Sequence, residues 1–139
     1  MTYRIVADSS CDLRSYDSPL ETLTYATVPL KIRVGQREFT DNAALDTRQM
    51  MDAMHNYNGP TSSACPSPEE WVAEFLKADC VLAITITSSL SGSYNSALVA
   101  RDMVLEEHPE KKIHVLDSLS AGGELVLIAR KAASLLESG

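Results

Sequence analysis

Basic residues are scarce in this sequence: 12 Lys and Arg stand against 19 Asp and Glu, a formal net charge of −7. Binding nucleic acid or an anionic membrane surface takes clustered cations that displace counterions, and no basic block occurs. Aromatic residues make up only 6%, which leaves few platforms for stacked bases. Neither nucleic acid nor a charged membrane is therefore expected as a partner. A small anion is not excluded, because backbone N–H groups act locally whatever the net charge.

Cysteine is sparse as well. Cys11, Cys65 and Cys80 are an odd number at wide spacing, which fits reduced thiols rather than a disulfide framework. His55, His108 and His114 are equally scattered, and there is no CxxC or HxxxH pair. No metal site and no cofactor is expected on that spacing. Apolar runs fall short of the roughly 20 residues of a membrane helix. The opening "MTYRIVADSS" has no basic segment leading into an apolar one, so it does not read as a secretory signal, and the cytoplasm is the expected location.

What is present suits one globular domain over residues 1–139, with 45% hydrophobic and 22% charged residues. "YRIVAD" (3–8) reads as a first strand that runs into a polar loop. The stretch 25–41 alternates on either side of Gly35 and predicts a strand pair, with Pro29 pushing its strand towards an edge. A helix opened by Asp46 or Thr47 is expected to stop near Gly59. Residues 59–67 then read as a loop with three prolines in its neighbourhood. Ser67, Pro68 and Glu70 form a capping box for a helix through Trp71 to about Ala78. "CVLAITIT" (80–87) and "KIHVLDS" (112–118) read as buried strands. Between them a helix spans about Gly92 to Glu107, and a last helix closes on Gly139 as its C′ residue. This alternation predicts an α/β fold whose largely parallel sheet is flanked by helices.

Three of these strands end in small polar residues: Asp8-Ser9-Ser10, Thr87-Ser88-Ser89-Leu90-Ser91-Gly92 and Asp117-Ser118-Leu119-Ser120. Ligands of parallel sheets bind at the carboxyl ends of the strands. Converging hydroxyls there would form a rim that draws on Ser9, Ser10, Ser88, Ser89 and Ser118. In the central cluster Gly92 lets the backbone approach a ligand, and Ser91 and the first helical amides point at the same spot. Ser91 or Ser93 serves equally well as a plain helix cap. Ser62 and Ser63 have no capping duty and are free to face a cleft. Cys65 is either a nucleophile or a small residue in a Pro-bracketed turn. Asp8 and Asp117 are either paired acids or caps of the turns that follow them. Leu98, Val104, Leu105, Leu125, Ile128 and Leu135 are either core or the walls of a lipid slot, and Trp71 reads as packing.

"DSSCDL", "VPLKI", "PSPEEW", "ITSSLSGSYNSA" and "VLDSLSAGGE" occur in the order seen in the DegV family of bacterial fatty-acid-binding proteins. The resemblance covers essentially the whole chain. It implies the N-terminal α/β domain of a two-domain protein, the second domain being absent here. Members of the family hold one long-chain fatty acid, tail buried and carboxylate at a polar rim. They present it to a fatty acid kinase, which makes an acyl phosphate for phospholipid synthesis. The "LSG" turn of the family corresponds to Leu90, Ser91 and Gly92, and the resemblance makes Ser91 and Gly92 its carboxylate contacts. In its "TSxPS" loop the first hydroxyl corresponds to Ser63, while Ala64 stands where the family has Ser. The role implied is a lipid carrier rather than an enzyme. A serine or cysteine hydrolase or acyltransferase using Ser91 or Cys65 is the alternative, although no GxSxG elbow is present. A nucleotide site on the "SGS" turn would lack the Walker lysine. Self-association is expected if the apolar walls of the cleft stay uncovered.

Overall fold

The computed structural model describes all 139 residues. Eleven elements follow one another: β1 (Tyr3–Asp8), β2 (Leu23–Val28), β3 (Lys31–Val34), β4 (Arg37–Thr40), α1 (Thr47–His55), β5 (Thr61–Ala64), α2 (Pro68–Phe75), β6 (Cys80–Thr85), α3 (Ser93–Glu107), β7 (Lys112–Asp117) and α4 (Gly123–Glu137). Four of the strands form a parallel sheet in the order β2-β1-β6-β7, and three form a smaller sheet in the order β4-β3-β5. The expected α/β architecture with a largely parallel main sheet is present. No helix is long and apolar enough to cross a membrane.

Alternation along the central strands sends side chains to two separate cores. Val6, Val81 and Ala83 meet Trp71 and Phe75 of α2 and Ala97, Ala100 and Val104 of α3. Ile5, Ala7 and Ile84 meet Leu125, Ala129 and Ala133 of α4 on the other face. Trp71 and Phe75 are fully buried, with ring centroids 5.8 Å apart. The Ser67 capping box forms as expected, its hydroxyl accepting from the Glu70 N–H. Asp46 caps α1, and Gly139 takes the positive φ of a C′ residue.

Four expectations need correction. The apolar stretch before Gly35 is two strands, not one. It breaks at Pro29: β2 pairs with β1 in the main sheet, and only β3 forms the hairpin with β4. Residues 61–64 are not loop but strand β5, antiparallel to β3. Strand β7 is an edge strand rather than a buried one, with Lys112 and His114 exposed. Beside it an open apolar groove of about 390 Å³ runs along α4, lined by Leu82, Leu116, Leu127, Ile128 and Leu135. Ile128 and Leu135 thus face this groove, whereas Val104 and Leu125 are core. Helices α1 and α2 also end a few residues earlier than their patterns predict, at His55 and Phe75.

Ion pairs one helical turn apart tie α2 to β3 and β1. Lys31 Nζ lies 2.5 Å from Glu70, and Arg4 Nε donates to Glu74 at 3.0 Å. Burial pushes both carboxyls up, but Lys31 and Ser67 at Glu70, and Lys77 and Arg4 at Glu74, outweigh it and leave both lowered. A lowered folded pKa stabilises above the ordinary glutamate value, about 4.3, and is lost as pH falls through the folded value. The melting temperature is therefore expected to hold between about pH 5 and 7 and to fall below about pH 4. Glu74→Gln should flatten that fall. An unchanged acid profile in this variant would remove the Glu74 pairs from the stability of the fold.

Candidate functional site

Because β1, β6 and β7 are parallel neighbours, their carboxyl ends lie along one edge of the sheet, where the three polar clusters were expected to converge. The clusters are stitched together there. The Thr87 N–H donates to the Ser120 carbonyl at 2.9 Å, and the Ser88 N–H to Asp117 Oδ1 at 3.1 Å. Asp117 also accepts from the Leu119 N–H. Hydrogen bonds from Ser88, opposed by burial and helped by the Leu119 amide, hold its carboxyl below the usual range. Asp117 is thus a turn cap. Asp8 lies two strands away, about 10 Å at the usual strand spacing, so the two are not a catalytic acid pair.

Asp8, wholly buried, accepts from the Ile86 N–H at 2.8 Å, from Ser93 Oγ at 2.7 Å, from the Ser10 N–H at 3.2 Å and from the Ser10 hydroxyl. Ser93 is the first residue of α3, and Gly92 is its N-cap with no side-chain bond. The Ser93 N–H donates to Ser91 Oγ at 3.2 Å. Ser91 therefore takes up one orphan donor of the helix from a position before the cap. No acceptor within the chain takes the Ser91 hydroxyl proton, which is left free to be donated outwards. The N–H groups of Tyr94 and Asn95 in the first turn have no intrahelical acceptor either. A hydroxyl donor above a helix N-terminus is an arrangement suited to a small anion or a carboxylate.

The segment after β5 closes on this turn. A Cβ added at Gly92 would sit 3.5 Å from Cys65 Sγ, and Ser96 Oγ donates to the Pro66 carbonyl at 2.6 Å. The φ of Gly92, −77°, is open to any residue, so local backbone geometry does not require glycine there. Ser63 lies on exposed β5 opposite Ile32, and its hydroxyl is uncommitted. Ser62 pairs opposite Arg33 and points to the other face, so the two serines do not face one cleft together.

The remaining rim serines divide by duty. Ser9 is buried and accepts from the Leu30 N–H at 2.8 Å, which anchors the turn after β2. Ser10 is held on Asp8. Ser89 shares a hydrogen bond with Thr87 at 3.0 Å, and Ser118 Oγ donates to the Ser120 carbonyl at 3.1 Å. Ser88 is exposed beside Asp117. Two leucines of the rim clusters project into solvent: Leu90 and Leu119 are 73% and 78% exposed, and Leu119 has a φ of +56°. Cys65 has no histidine beside it. His108 lies at the C-terminal end of α3, away from the rim, and His55 on α1.

A profile described as "Uncharacterised protein, DegV family" matches residues 2–139. A DegV domain-containing protein of Streptococcus pneumoniae strain R6 is 46% identical over 139 residues, 100% of this chain and 50% of its own length. One from Streptococcus gordonii is 49% identical over 140 residues, with the same coverage. Among solved structures, the Streptococcus pneumoniae Fatty Acid Kinase (Fak) B3 protein loaded with linoleic acid superposes with a TM-score of 0.96 at 46% identity, over 100% of this chain and 50% of that one. A DegV family protein from Eubacterium eligens loaded with heptadecanoic acid gives 0.89 at 37% identity, over 99% and 49%. The chain spans about half the length of the curated relatives it matches.

Proposed function

Since this chain belongs to the DegV family, we propose that residues 1–139 form the N-terminal α/β half of a carrier for one long-chain fatty acid. The carrier holds the carboxylate at the rim and presents it to a fatty acid kinase that converts it to an acyl phosphate. The observation that carries the reading is the Ser91 hydroxyl, whose oxygen accepts from the Ser93 N–H while its proton has no acceptor in the chain. Ser91 donates to the ligand carboxylate, the exposed Ser63 hydroxyl donates from the facing segment, and Gly92 leaves room for the head group. Ser62 and Ser88 are outer rim positions. Ser9, Ser10, Ser89 and Ser118 shape the rim through the bonds they already make.

The chain itself catalyses nothing in this reading. A hydrolase using Ser91 or Cys65 would need its base from outside these residues. Three unpaired cysteines fit a reducing compartment, the cytoplasm. The open groove along α4 and β7 supports self-association wherever no other segment covers it.

Mass spectrometry of an organic extract from the complete gene product, purified without added lipid, tests the proposal. A long-chain fatty acid near one per chain is expected. Ser91→Ala should lower fatty-acid affinity by about ten- to a hundredfold, the loss of one charge-assisted hydrogen bond, and should slow phosphorylation of the bound lipid. No fatty acid in the extract, together with stoichiometric labelling of Ser91 by a fluorophosphonate or of Cys65 by iodoacetamide, would favour the hydrolase instead.

A further inference from the structure

Asp8 is the only wholly buried carboxylate in the chain, and no Lys, Arg or His pairs with it. A buried charge without a counter-ion is costly unless hydrogen-bonded on all sides. Its compensation comes entirely from dipoles: two backbone N–H groups and two hydroxyls, spread over the β1 loop, the β6 loop and the first turn of α3. A turn cap would need one or two of these bonds, all local. Asp8 instead reaches across 78 residues to Ile86 and 85 to Ser93.

The direction of each bond matters. An ionised carboxylate only accepts, so the Ser93 hydroxyl must give its proton to Asp8 and has none left for a ligand. Ser93 is thereby locked in place, and its N–H occupies a lone pair of Ser91 Oγ at 3.2 Å. The Ser91 proton is then the one uncommitted hydrogen in the series. Resting on the carrier reading above, we infer that Asp8 is the positioning residue of the carboxylate cradle: through Ser93 it orients the Ser91 hydroxyl as an outward donor, and so makes the site select a carboxylate over an uncharged head group.

In Asp8→Asn the side chain keeps its shape but gains a donor and loses its charge. The bond from the Ser93 hydroxyl is then weakened, and the first turn of α3, whose Ser93 N–H holds Ser91 Oγ, is no longer fixed against β1. The experiment compares binding of linoleic acid and linoleyl alcohol to the complete gene product. The unaltered protein should prefer the acid. Asp8→Asn should weaken the acid by about tenfold and change the alcohol by less than about twofold. Combined with Ser91→Ala it should bind no more weakly than Ser91→Ala alone, because both act on one donor. Should Asp8→Asn fail to fold, Ser93→Ala breaks the same link and should show the same loss of preference. Proportional weakening of acid and alcohol, or multiplying effects in the double variant, would overturn the role of Asp8 and leave it a structural brace. Equal binding of acid and alcohol by the unaltered protein would instead overturn the cradle itself.

Discussion

Trp71→Ala is expected to destabilise the fold by about 3–5 kcal/mol, the usual cost of truncating a buried aromatic to alanine. Trp71 has no exposed surface and sits in the core between α2, α3 and the main sheet. Its loss leaves a void that α2 cannot close, because the capping box and the Glu70 and Glu74 ion pairs hold that helix to β3 and β1. A domain of this size has roughly 5–15 kcal/mol in total, so the variant should melt on the order of 10–20 °C lower. The indole Nε1 is buried with no acceptor. Trp71→Phe removes that orphan donor along with part of the ring, and should cost less than about 2 kcal/mol. Thermal denaturation of both variants checks the pair. A loss below about 1 kcal/mol in Trp71→Ala would mean that the void collapses and α2 is not held as described.

Shortening the acyl chain from 18 to 12 carbons should weaken binding by on the order of a thousandfold. Each buried methylene contributes about 0.8 kcal/mol, so six amount to about 5 kcal/mol before the tail's own ordering is subtracted. Removing the Ser91 donor costs about 1.5–3 kcal/mol at most. The tail therefore sets affinity in the carrier reading, and the rim sets orientation, which keeps the carboxylate where a kinase reaches it. Competition among saturated acids of 12, 14, 16 and 18 carbons should give roughly a fourfold step per methylene. A flat series would place the affinity in the head group and remove the buried tail from the proposal.

Features governed by neighbours in sequence were legible without a structure. The box of Ser67 and Glu70 closes within one helical turn, and Gly35 turns a two-residue hairpin at a φ of +62°. Runs such as "CVLAIT" reveal buried parallel strands because every position is apolar or β-branched. Strand β5 was hidden for the opposite reason. Its residues, "TSSA", are small, mostly polar and exposed, so no alternation marks them, and only pairing with β3 orders them. Pro29 lies in neither β2 nor β3, and β3, the hairpin strand it was expected to push towards an edge, is the central strand of its sheet. The assignment of β2 and β3 to different sheets had no local signal at all.

The site divides along the same line. Sequence alone determined the local chemistry: hydroxyls crowded at strand ends, a glycine before a helix, and Ser91 within hydrogen-bond reach of its own helix N-terminus. The tertiary structure decided what those groups do. An aspartate followed by two serines reads as a turn cap, since turns are made by adjacent residues. Asp8 became the buried centre of the rim because the sheet sets β1 beside β6, bringing Ile86 and Ser93 to its oxygens. Hydrogen bonds between groups some 80 residues apart follow strand order, and strand order is set by which apolar faces bury together.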